Sequence, residues 1–358
     1  MSTVTPVTAS AAPAAVGTLT PSANGESSAG GRSTPAATYL LPIKADRPPA
    51  DELTHYLRAV SGRCEVIVVD GSAPRQFEAA HREWSSFALH VAPHADVSCL
   101  NGKVRGVVTG LRLSTAERVV IADDDVRYDM EALDRVIAEL DLADVVVPQN
   151  YFDPLPWHAR WDTARTLLNR ATGGDFPGTL AVRSSLLRDG YDGDVLFENL
   201  ELIRTVEARG GTCRRTPDLH VRRLPPSTRH FLGQRVRQAY DELARPGRCM
   251  FWSTLLPATL LIGRWRGRVA AYVALSAISI VTAESGRRRC GGRRCFPFSA
   301  TLFAPLWVAE RAVCMWFALG LRIRGGVRYN GSRIVRAATP VRRLRDEPRG
   351  RTVCTPTP

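Results

Sequence analysis

Two apolar runs that each end in aspartate constrain the fold of this chain most strongly. Residues 64–69 read Cys-Glu-Val-Ile-Val-Val and lead into Asp70, while residues 118–122 read Arg-Val-Val-Ile-Ala and lead into three aspartates, Asp123–Asp125. Short apolar runs bounded by polar turns are typical of parallel strands buried on both faces. Because ligands bind beyond the carboxyl ends of such strands, these aspartates lie where a binding site is expected.

The segments around these two runs alternate between strand-like and helix-like patterns. Further strands are predicted at residues 39–43, Phe87–Val91 and Ala143–Pro148, and helices at Asp51–Val60, 75–87, Lys103–Leu113 and Met130–Leu140. Strands that alternate with helices in this way predict an α/β fold, in which helices flank a mostly parallel open sheet.

Composition divides the chain into four parts. Hydrophobic residues make up 44% of the 358 residues, which excludes a wholly disordered chain. Residues 1–36 are mostly Ala, Ser, Thr, Pro and Gly without the pattern of a signal peptide, so we expect a disordered tail. We place the α/β domain at 37–245, a membrane-associated helical region at 246–334 and a basic flexible tail at 335–358.

Three apolar segments follow the α/β part, at Met250–Ile262, Val269–Ala283 and Phe296–Leu321. The first two are shorter than the roughly 20 residues that span a bilayer, and the third contains the charge pair Glu310-Arg311. Spanning helices, interfacial helices whose arginines reach the headgroups, and a soluble helical domain with a basic face all stay open. The arginines that flank these segments favour membrane association.

Charge is distributed unevenly along the chain, whose net charge is +13. Residues 201–358 hold most of the arginines, whereas residues 1–200 are acidic overall. A basic half could bind anionic membrane or nucleic acid. Because the aspartates at the strand ends lie in an acidic half, we expect the membrane as partner and no nucleic acid.

The aspartates after the second run could hold a metal ion. Side chains alternate along a strand, so Asp123 and Asp125 can face the same way. Two carboxylates suit Mg²⁺ or Mn²⁺, which in turn can hold a diphosphate. The alternative is a solvated turn or a helix cap before Met130. Lys103, at a predicted helix N-terminus, could steady a phosphate or be an ordinary surface lysine.

Three later features of the sequence could also contribute to a binding site. Gly178 permits a close approach of other groups to the backbone. Glu198 precedes a helical run, where it could be a cap group or a general base for an incoming hydroxyl. Gln234 and Arg237 lie one helical turn apart, a spacing that an ordinary basic helix face would also show.

In this order and spacing, the motifs resemble those of family 2 inverting glycosyltransferases with the GT-A fold, over roughly residues 37–245. The apolar segments that follow resemble those of membrane-attached members such as ceramide-glucosyltransferase-like enzymes. The resemblance implies a metal-dependent transfer of a sugar from a nucleotide-diphosphate-sugar donor to a hydroxyl of a lipid or lipid-linked acceptor. It also implies a cytoplasmic-membrane location with the catalytic domain facing the cytoplasm.

The resemblance assigns the donor side of the site residue by residue. Asp70 matches the aspartate that contacts the nucleotide base, and Lys103 matches the Gly-Lys pair before the metal motif. Asp123 and Asp125 match the D-x-D pair, which places Asp123 near the ribose or diphosphate and Asp125 on the divalent metal, Mg²⁺ or Mn²⁺.

The expected general base departs from the family pattern. The pair Glu198-Asn199 stands where the family has Glu-Asp, and in the family the aspartate of that pair is the general base. Because an amide cannot accept a proton as a carboxylate does, we expect Glu198 to take this role, with Asp194 and Glu201 as alternatives.

The acceptor side shows a second departure. Gln234 and Arg237 match the Q-x-x-R-W motif near the acceptor and diphosphate, but Gln238 replaces its tryptophan. The missing stacking surface favours addition of a single sugar over processive synthesis.

Parts of the sequence also fit other functional classes. A nucleotidyltransferase on a related sheet would usually show a Gly-rich basic loop near its first strand, and residues 41–46 have none. A catalytically dead glycosyltransferase would account for Asn199. A non-enzymatic basic protein would instead bind nucleic acid or anionic membrane through the arginine-rich half, but the aspartates at the strand ends argue against nucleic acid.

Overall fold

The computed structural model describes residues 36–262, 265–329 and 331–346. Apart from Ala36, the tail predicted at 1–36 lies outside the described residues. The strands are β1 (Thr38–Ile43), β2 (Glu65–Asp70), β3 (Leu89–Val91), β4 (Arg118–Ala122), β5 (Val126–Arg127), β6 (Val145–Phe152), β7 (Thr179–Arg183), β8 (Cys213–Arg223), β9 (Val327–Tyr329) and β10 (Ser332–Ile334). The helices are α1 (Asp51–Ser61), α2 (Pro74–Trp84), α3 (Gly102–Leu113), α4 (Met130–Ala138), α5 (Trp157–Thr172), α6 (Glu198–Ala208), α7 (Thr228–Gly233), α8 (Arg235–Tyr240), α9 (Pro246–Leu261), α10 (Trp265–Arg288), α11 (Phe298–Thr301), α12 (Ala304–Ile323) and α13 (Val341–Asp346).

The first eight strands form one open sheet in the order β3-β2-β1-β4-β7-β6-β8-β5. Strands β3, β2, β1 and β4 run parallel, and β8 is parallel to β6. Strand β7 is antiparallel to both β4 and β6, and β5 is antiparallel to β8. The predicted α/β fold with a mostly parallel sheet is therefore confirmed, and β7 joins its two parallel parts.

Both faces of the sheet are buried, as the apolar runs predict. Tyr39 and Leu41 of β1 pack into the layer on one face, whereas Leu40 packs into the layer on the other. Strand β4 has the predicted bounds, and β6 continues beyond the predicted Pro148 to Phe152. This sheet places the ends of β4, β6 and β8 side by side.

Helix α3 packs closely against β1 because two of its residues lack a side chain. A Cβ atom added to Gly110 would lie 2.0 Å from Leu40 Cδ1, and one added to Gly106 would lie 2.9 Å from Pro42 Cβ. The Asn101 side chain caps the first turn by accepting a hydrogen bond of 3.1 Å from the Lys103 amide. This packing fixes the start of α3, and with it Lys103, beside the strand ends.

The C-terminal helices pack onto the α/β part. Trp307 and Met315 of α12 are buried in one apolar cluster with Leu167 of α5 and Tyr240 of α8. By length and composition, the helical stretches Trp265–Arg294 and Phe298–Ile323 could each cross a membrane.

The chain after α12 returns to the α/β part. We expected residues 335–358 to form a flexible tail. In the structure, Leu196 and Phe197 donate backbone hydrogen bonds of 3.0 and 2.8 Å to the carbonyls of Arg336 and Ala337. Residues 335–346 have a defined path because they satisfy backbone groups of the loop before α6, whereas residues 347–358 lie outside the described part.

Candidate active site

A cleft of about 300 Å³ opens beyond the ends of β4, β6 and β8 and the start of β7. Six of the seven residues predicted for the site line it, and these are Lys103, Asp123, Asp125, Glu198, Gln234 and Arg237. Its outer half, as we call the part around the strand ends, contains Lys103, Asp123, Asp125, Glu198 and Arg223. Its inner half reaches the C-terminal helices and contains Arg235, Asp241 and Arg311.

The predicted carboxylate pair converges on one arginine. Arg223, the last residue of β8, donates from Nε to both oxygens of Asp125 at 2.9 Å and from Nη2 to Asp123 Oδ2 at 3.2 Å. The two carboxylates therefore face the same way. The alternative of a helix cap does not apply to them, because Asp129 caps α4 by accepting from the Ala132 amide.

Lys103 connects the strand end to the start of α6. Its Nζ lies 2.5 Å from Asp123 Oδ1 and 2.9 Å from Glu198 Oε1. Burial would raise the pKa of Asp123, but Lys103 and Arg223 outweigh that effect and hold the pKa below its ordinary value. Burial raises the pKa of Asp125 despite its bonds to Arg223.

Gly178 lets the Asp123 carboxylate lie directly against the backbone. A Cβ atom added to this glycine would lie 2.6 Å from Asp123 Oδ2 and 3.0 Å from the guanidinium carbon of Arg223. The Gly178 carbonyl also accepts a hydrogen bond of 2.8 Å from the Asp123 amide. The close approach predicted for this glycine is therefore present, and its partner is the carboxylate pair.

Glu198 alone of the three predicted base candidates lines the cleft. Glu201 is fully buried on α6, where it accepts a hydrogen bond of 2.6 Å from the Thr339 amide. Asp194 accepts from the Leu100 amide at 2.9 Å. Asn199 also lines the cleft, and its amide donates to the Pro177 carbonyl at 2.8 Å.

Gln234 and Arg237 line the cleft from the junction of α7 and α8. Gln234 bonds His230, one turn earlier. The Arg237 guanidinium lies 4.7 Å from the ring centre of Tyr329, whose hydroxyl donates to Asn101 Oδ1 at 3.2 Å. The segment after α12 thus helps to position Arg237.

Asp70 lies at the carboxyl end of β2, outside the residues that line the cleft. Its carboxylate accepts from the Ser72 amide at 2.8 Å and lies 3.2 Å from His90 Nε2. Burial opposes ionisation, but His90 and Ser72 prevail and lower its pKa. The structure brings the other six predicted residues together and leaves Asp70 farther along the same sheet edge.

The inner half combines paired and unpaired charges. Asp162 contacts Arg165 at 3.1 Å and Arg235 at 3.3 Å, and these two arginines overcome the effect of burial and lower its pKa. Asp241 differs, because burial raises its pKa to about 7 and its Oδ1 has no hydrogen-bond partner among the described residues.

Three residues that line the cleft were not predicted from the sequence, and these are Arg223, Asp241 and Arg311. The first had a signal, since Arg222-Arg223 stands directly before a Leu-Pro-Pro stop that could have marked a strand end. Arg311 belonged to a charge pair that we had considered only as an obstacle to spanning. Asp241 follows Arg237 by one helical turn, a pattern that every surface helix can show.

Part of the chain matches a known protein family. Residues 47–188 match the family model for "Glycosyl transferase family 2", and this stretch includes Asp70, Lys103, Asp123, Asp125 and Gly178. A comparison of the sequence with curated proteins finds no match.

Several solved structures resemble the chain at a distance. A mannosyltransferase from Pyrobaculum calidifontis, solved with GDP-Man and Mn²⁺, is 19% identical, with a TM-score of 0.47 over 80% of this chain and 88% of that one. Glucosyl-3-phosphoglycerate synthase from Mycobacterium tuberculosis is 18% identical, with a TM-score of 0.42 over 60% and 78% of the two chains. The family match distinguishes the glycosyltransferase from the nucleotidyltransferase interpretation. Residues 47–188 therefore match a family 2 glycosyltransferase domain, and the chain is a glycosyltransferase.

Proposed function

We propose that this glycosyltransferase moves one sugar from a nucleoside-diphosphate sugar to a hydroxyl of a lipid or lipid-linked acceptor at a membrane surface. One observation supports this most directly. The cleft that contains Asp123, Asp125 and Glu198 has Arg311, a residue of the apolar helix α12, in its wall. A donor site and a membrane-facing helix therefore share one cavity.

The donor set of the outer half fits Mg²⁺ or Mn²⁺. Asp123 and Asp125 supply converging carboxylate oxygens, the ligands that hard divalent cations prefer, and Mg²⁺ commonly takes only one or two carboxylates besides phosphate and water. We propose Asp125 as the main ligand, with Asp123 beside it. When bound, the ion would neutralise charge on the departing diphosphate. Arg223 would then share Asp125 or turn away from it.

Basic side chains around this pair suit the rest of the donor. Lys103 and Arg237 carry positive charge into the cleft, where they would bind diphosphate oxygens, and Gln234 would add a hydrogen-bond donor. Asp70 would contact the nucleotide base farther along the sheet edge. These roles extend the family pattern to the residues of this chain.

Glu198 is our proposed general base. Its carboxylate would accept the proton of the acceptor hydroxyl while that oxygen attacks the anomeric carbon and the nucleoside diphosphate leaves from the opposite face. This displacement inverts the anomeric configuration. Lys103 Nζ, 2.9 Å from Glu198 Oε1, would hold this carboxylate in place.

Exposed apolar groups favour a membrane location. Most large apolar side chains that are exposed in the described part lie between residues 250 and 323, among them Phe251, Trp265 and Phe317. Because α12 packs along α5 and α8, we favour helices that lie at the interface over helices that leave the domain to span the bilayer. Arg288 and Arg293 are exposed and would meet anionic headgroups on the cytoplasmic side.

A donor screen on detergent-extracted protein tests this function. UDP-, GDP- and dTDP-sugars are each added with Mn²⁺ or with EDTA, and thermal stability and nucleoside diphosphate release are followed. We expect one donor to stabilise the protein only with metal and to be hydrolysed or transferred. Asp125→Ala should abolish this release, whereas Asp124→Ala, an exposed neighbour outside the cleft, should retain it. Full activity of Asp125→Ala would refute the metal assignment.

A further inference from the structure

Arg311 is a buried cation that forms no salt bridge with any acidic side chain of the described residues. Its side chain, on α12, is only 1% exposed, and its Nε and Nη1 have no hydrogen-bond partner within the described ranges. The guanidinium lies 4.9 Å from the ring centre of Trp307 and lines the inner half of the cleft. A buried charge that lacks a partner is strongly unfavourable, so this position suits an anionic ligand.

The acidic groups around Arg311 bind other arginines. Glu242 contacts Arg245 at 3.0 Å and Arg248 at 2.8 Å, and Glu310 contacts Arg235 at 3.4 Å. Asp241 lines the same half of the cleft, but no hydrogen bond joins it to Arg311 in the described structure, and its Oδ1 is itself unpartnered. A ligand that offers an anion to Arg311 and a hydroxyl to Asp241 would satisfy both groups.

An apolar groove adjoins this anion site. A second cavity of about 330 Å³ lies between α5, α9, α10 and α12, and most of its lining is apolar. Its walls include Trp252, Leu255, Leu275, Ile278, Trp307 and Val308. Trp307 lines the groove and also stacks on Arg311, and Asn169 lines both cavities. The charged site and the groove are therefore neighbours that share a wall.

We propose that the acceptor is an anionic amphiphile, whose phosphate group binds Arg311 and whose hydrocarbon chain lies in this groove. This inference rests on the proposed function and names the chemical class of its acceptor. Phosphate fits because guanidinium groups bind phosphate oxygens through charge-assisted hydrogen bonds, and Arg245 lines the same cleft. The groove favours a hydrocarbon chain because most of its lining is apolar.

Binding of three probes to the wild-type protein in neutral detergent gives the first test. Decyl phosphate, decanol and inorganic phosphate are each titrated, and tryptophan fluorescence is recorded. Because Trp252 and Trp307 line the groove, their fluorescence should change when a chain fills it. We expect decyl phosphate to bind at least about tenfold more tightly than either other probe, since only it fills both parts. Equal affinity for decyl phosphate and decanol would overturn the anion site.

Variants then assign the headgroup to Arg311. Arg311→Gln should weaken decyl phosphate binding roughly tenfold or more and leave decanol binding unchanged, and Arg311→Lys should restore part of the loss. The matched control is Arg324→Gln, an exposed arginine at the end of the same helix. If Arg311→Gln does not fold, Ser279→Trp, which fills the groove, should weaken both decyl probes and spare inorganic phosphate.

Donor hydrolysis separates an acceptor from a bystander lipid. A ligand in the acceptor part of the cleft should exclude water, so saturating decyl phosphate should lower nucleoside diphosphate release severalfold. Binding without any effect on release would place the amphiphile outside the acceptor site and overturn the inference. A wild-type protein that binds no donor with metal would instead refute the proposed function, whatever the three probes do.

Discussion

The two halves of the cleft treat charge in different ways. In the outer half, Lys103, Asp123, Asp125, Glu198 and Arg223 all contact an opposite charge within 3.2 Å. In the inner half, Arg311 Nε, Arg311 Nη1 and Asp241 Oδ1 have no hydrogen-bond partner among the described side chains and backbone groups.

This difference shows how one cavity can serve two ligands. A network of mutually neutralised groups is ordered before a ligand arrives, which suits the fixed geometry that catalysis requires. Unpaired buried groups gain most when a ligand supplies the missing contact. This contrast agrees with our proposal that the outer half carries out the chemistry and the inner half recognises the acceptor.

The largest effect should follow from removing the base in the outer half. Glu198→Gln keeps the side-chain shape but cannot accept a proton, so sugar transfer should fall by about 10²- to 10⁴-fold. Donor binding with metal, measured by thermal shift, should remain. A small loss in this variant, together with a large loss in Asp241→Asn, would move the base into the inner half and break the comparison.

A smaller effect should follow from crowding the same network. Gly178→Ala places a Cβ atom 2.6 Å from Asp123 Oδ2, so the carboxylate must shift away from Lys103 and Arg223. We expect metal-dependent nucleoside diphosphate release to fall about tenfold, since small displacements of catalytic groups are costly.

Gly320→Ala is the control for this crowding. Its added Cβ meets no atom within 4 Å, and alanine favours the helix. Activity should therefore be retained. Equal activity of the two variants would show that the outer network tolerates movement and is less ordered than its contacts indicate.

The smallest effect concerns stability rather than rate. Asp241 has a folded-state pKa of about 7, raised mainly by burial from an ordinary value of 3.8. Between about pH 4 and pH 7 the unfolded chain ionises this group more readily, so the native state loses stability as pH rises. Asp241→Asn should remove this loss and gain stability relative to wild type across that window, by at most a few kcal/mol.

Thermal unfolding of the wild type and of Asp241→Asn from pH 4.5 to pH 8 measures the difference in their stability. The other carboxylates are the same in both proteins, so their contributions cancel in this difference. A flat or reversed difference would mean that Asp241 is ionised in the native protein. In that case Arg311 would have a counter-charge, and the two halves of the cleft would be alike.

The sequence predicted the sheet edge better than the inner half. Strand β4 and the start of α3 follow from local pattern, so the positions of Asp123, Asp125 and Lys103 could be predicted, while their roles came from the family resemblance. Strand β8 is rich in arginine and lacks regular alternation, because its pairing with β6 decides its conformation. Arg223 was missed for that reason.

The inner half depends on tertiary packing. Glu310 and Arg311 look like a defect in an apolar segment until α12 is placed against α8, and only then do they reach the cleft. No local pattern distinguishes an arginine that faces a cavity from one that faces solvent. The sequence shows how many polar residues an apolar helix contains, but it does not show which way their side chains point.

Helix α12 also bears on how such an enzyme can be divided or altered. A fragment that ends at residue 245 would keep the D-x-D pair yet lack one wall of its own cavity, so a soluble, shortened enzyme should hydrolyse donor without choosing an acceptor. Conversely, exchange of residues 304–323 alone would change what the enzyme accepts while its donor chemistry stays the same. Under the proposed function, acceptor choice and membrane attachment would evolve together, since one helix would carry both.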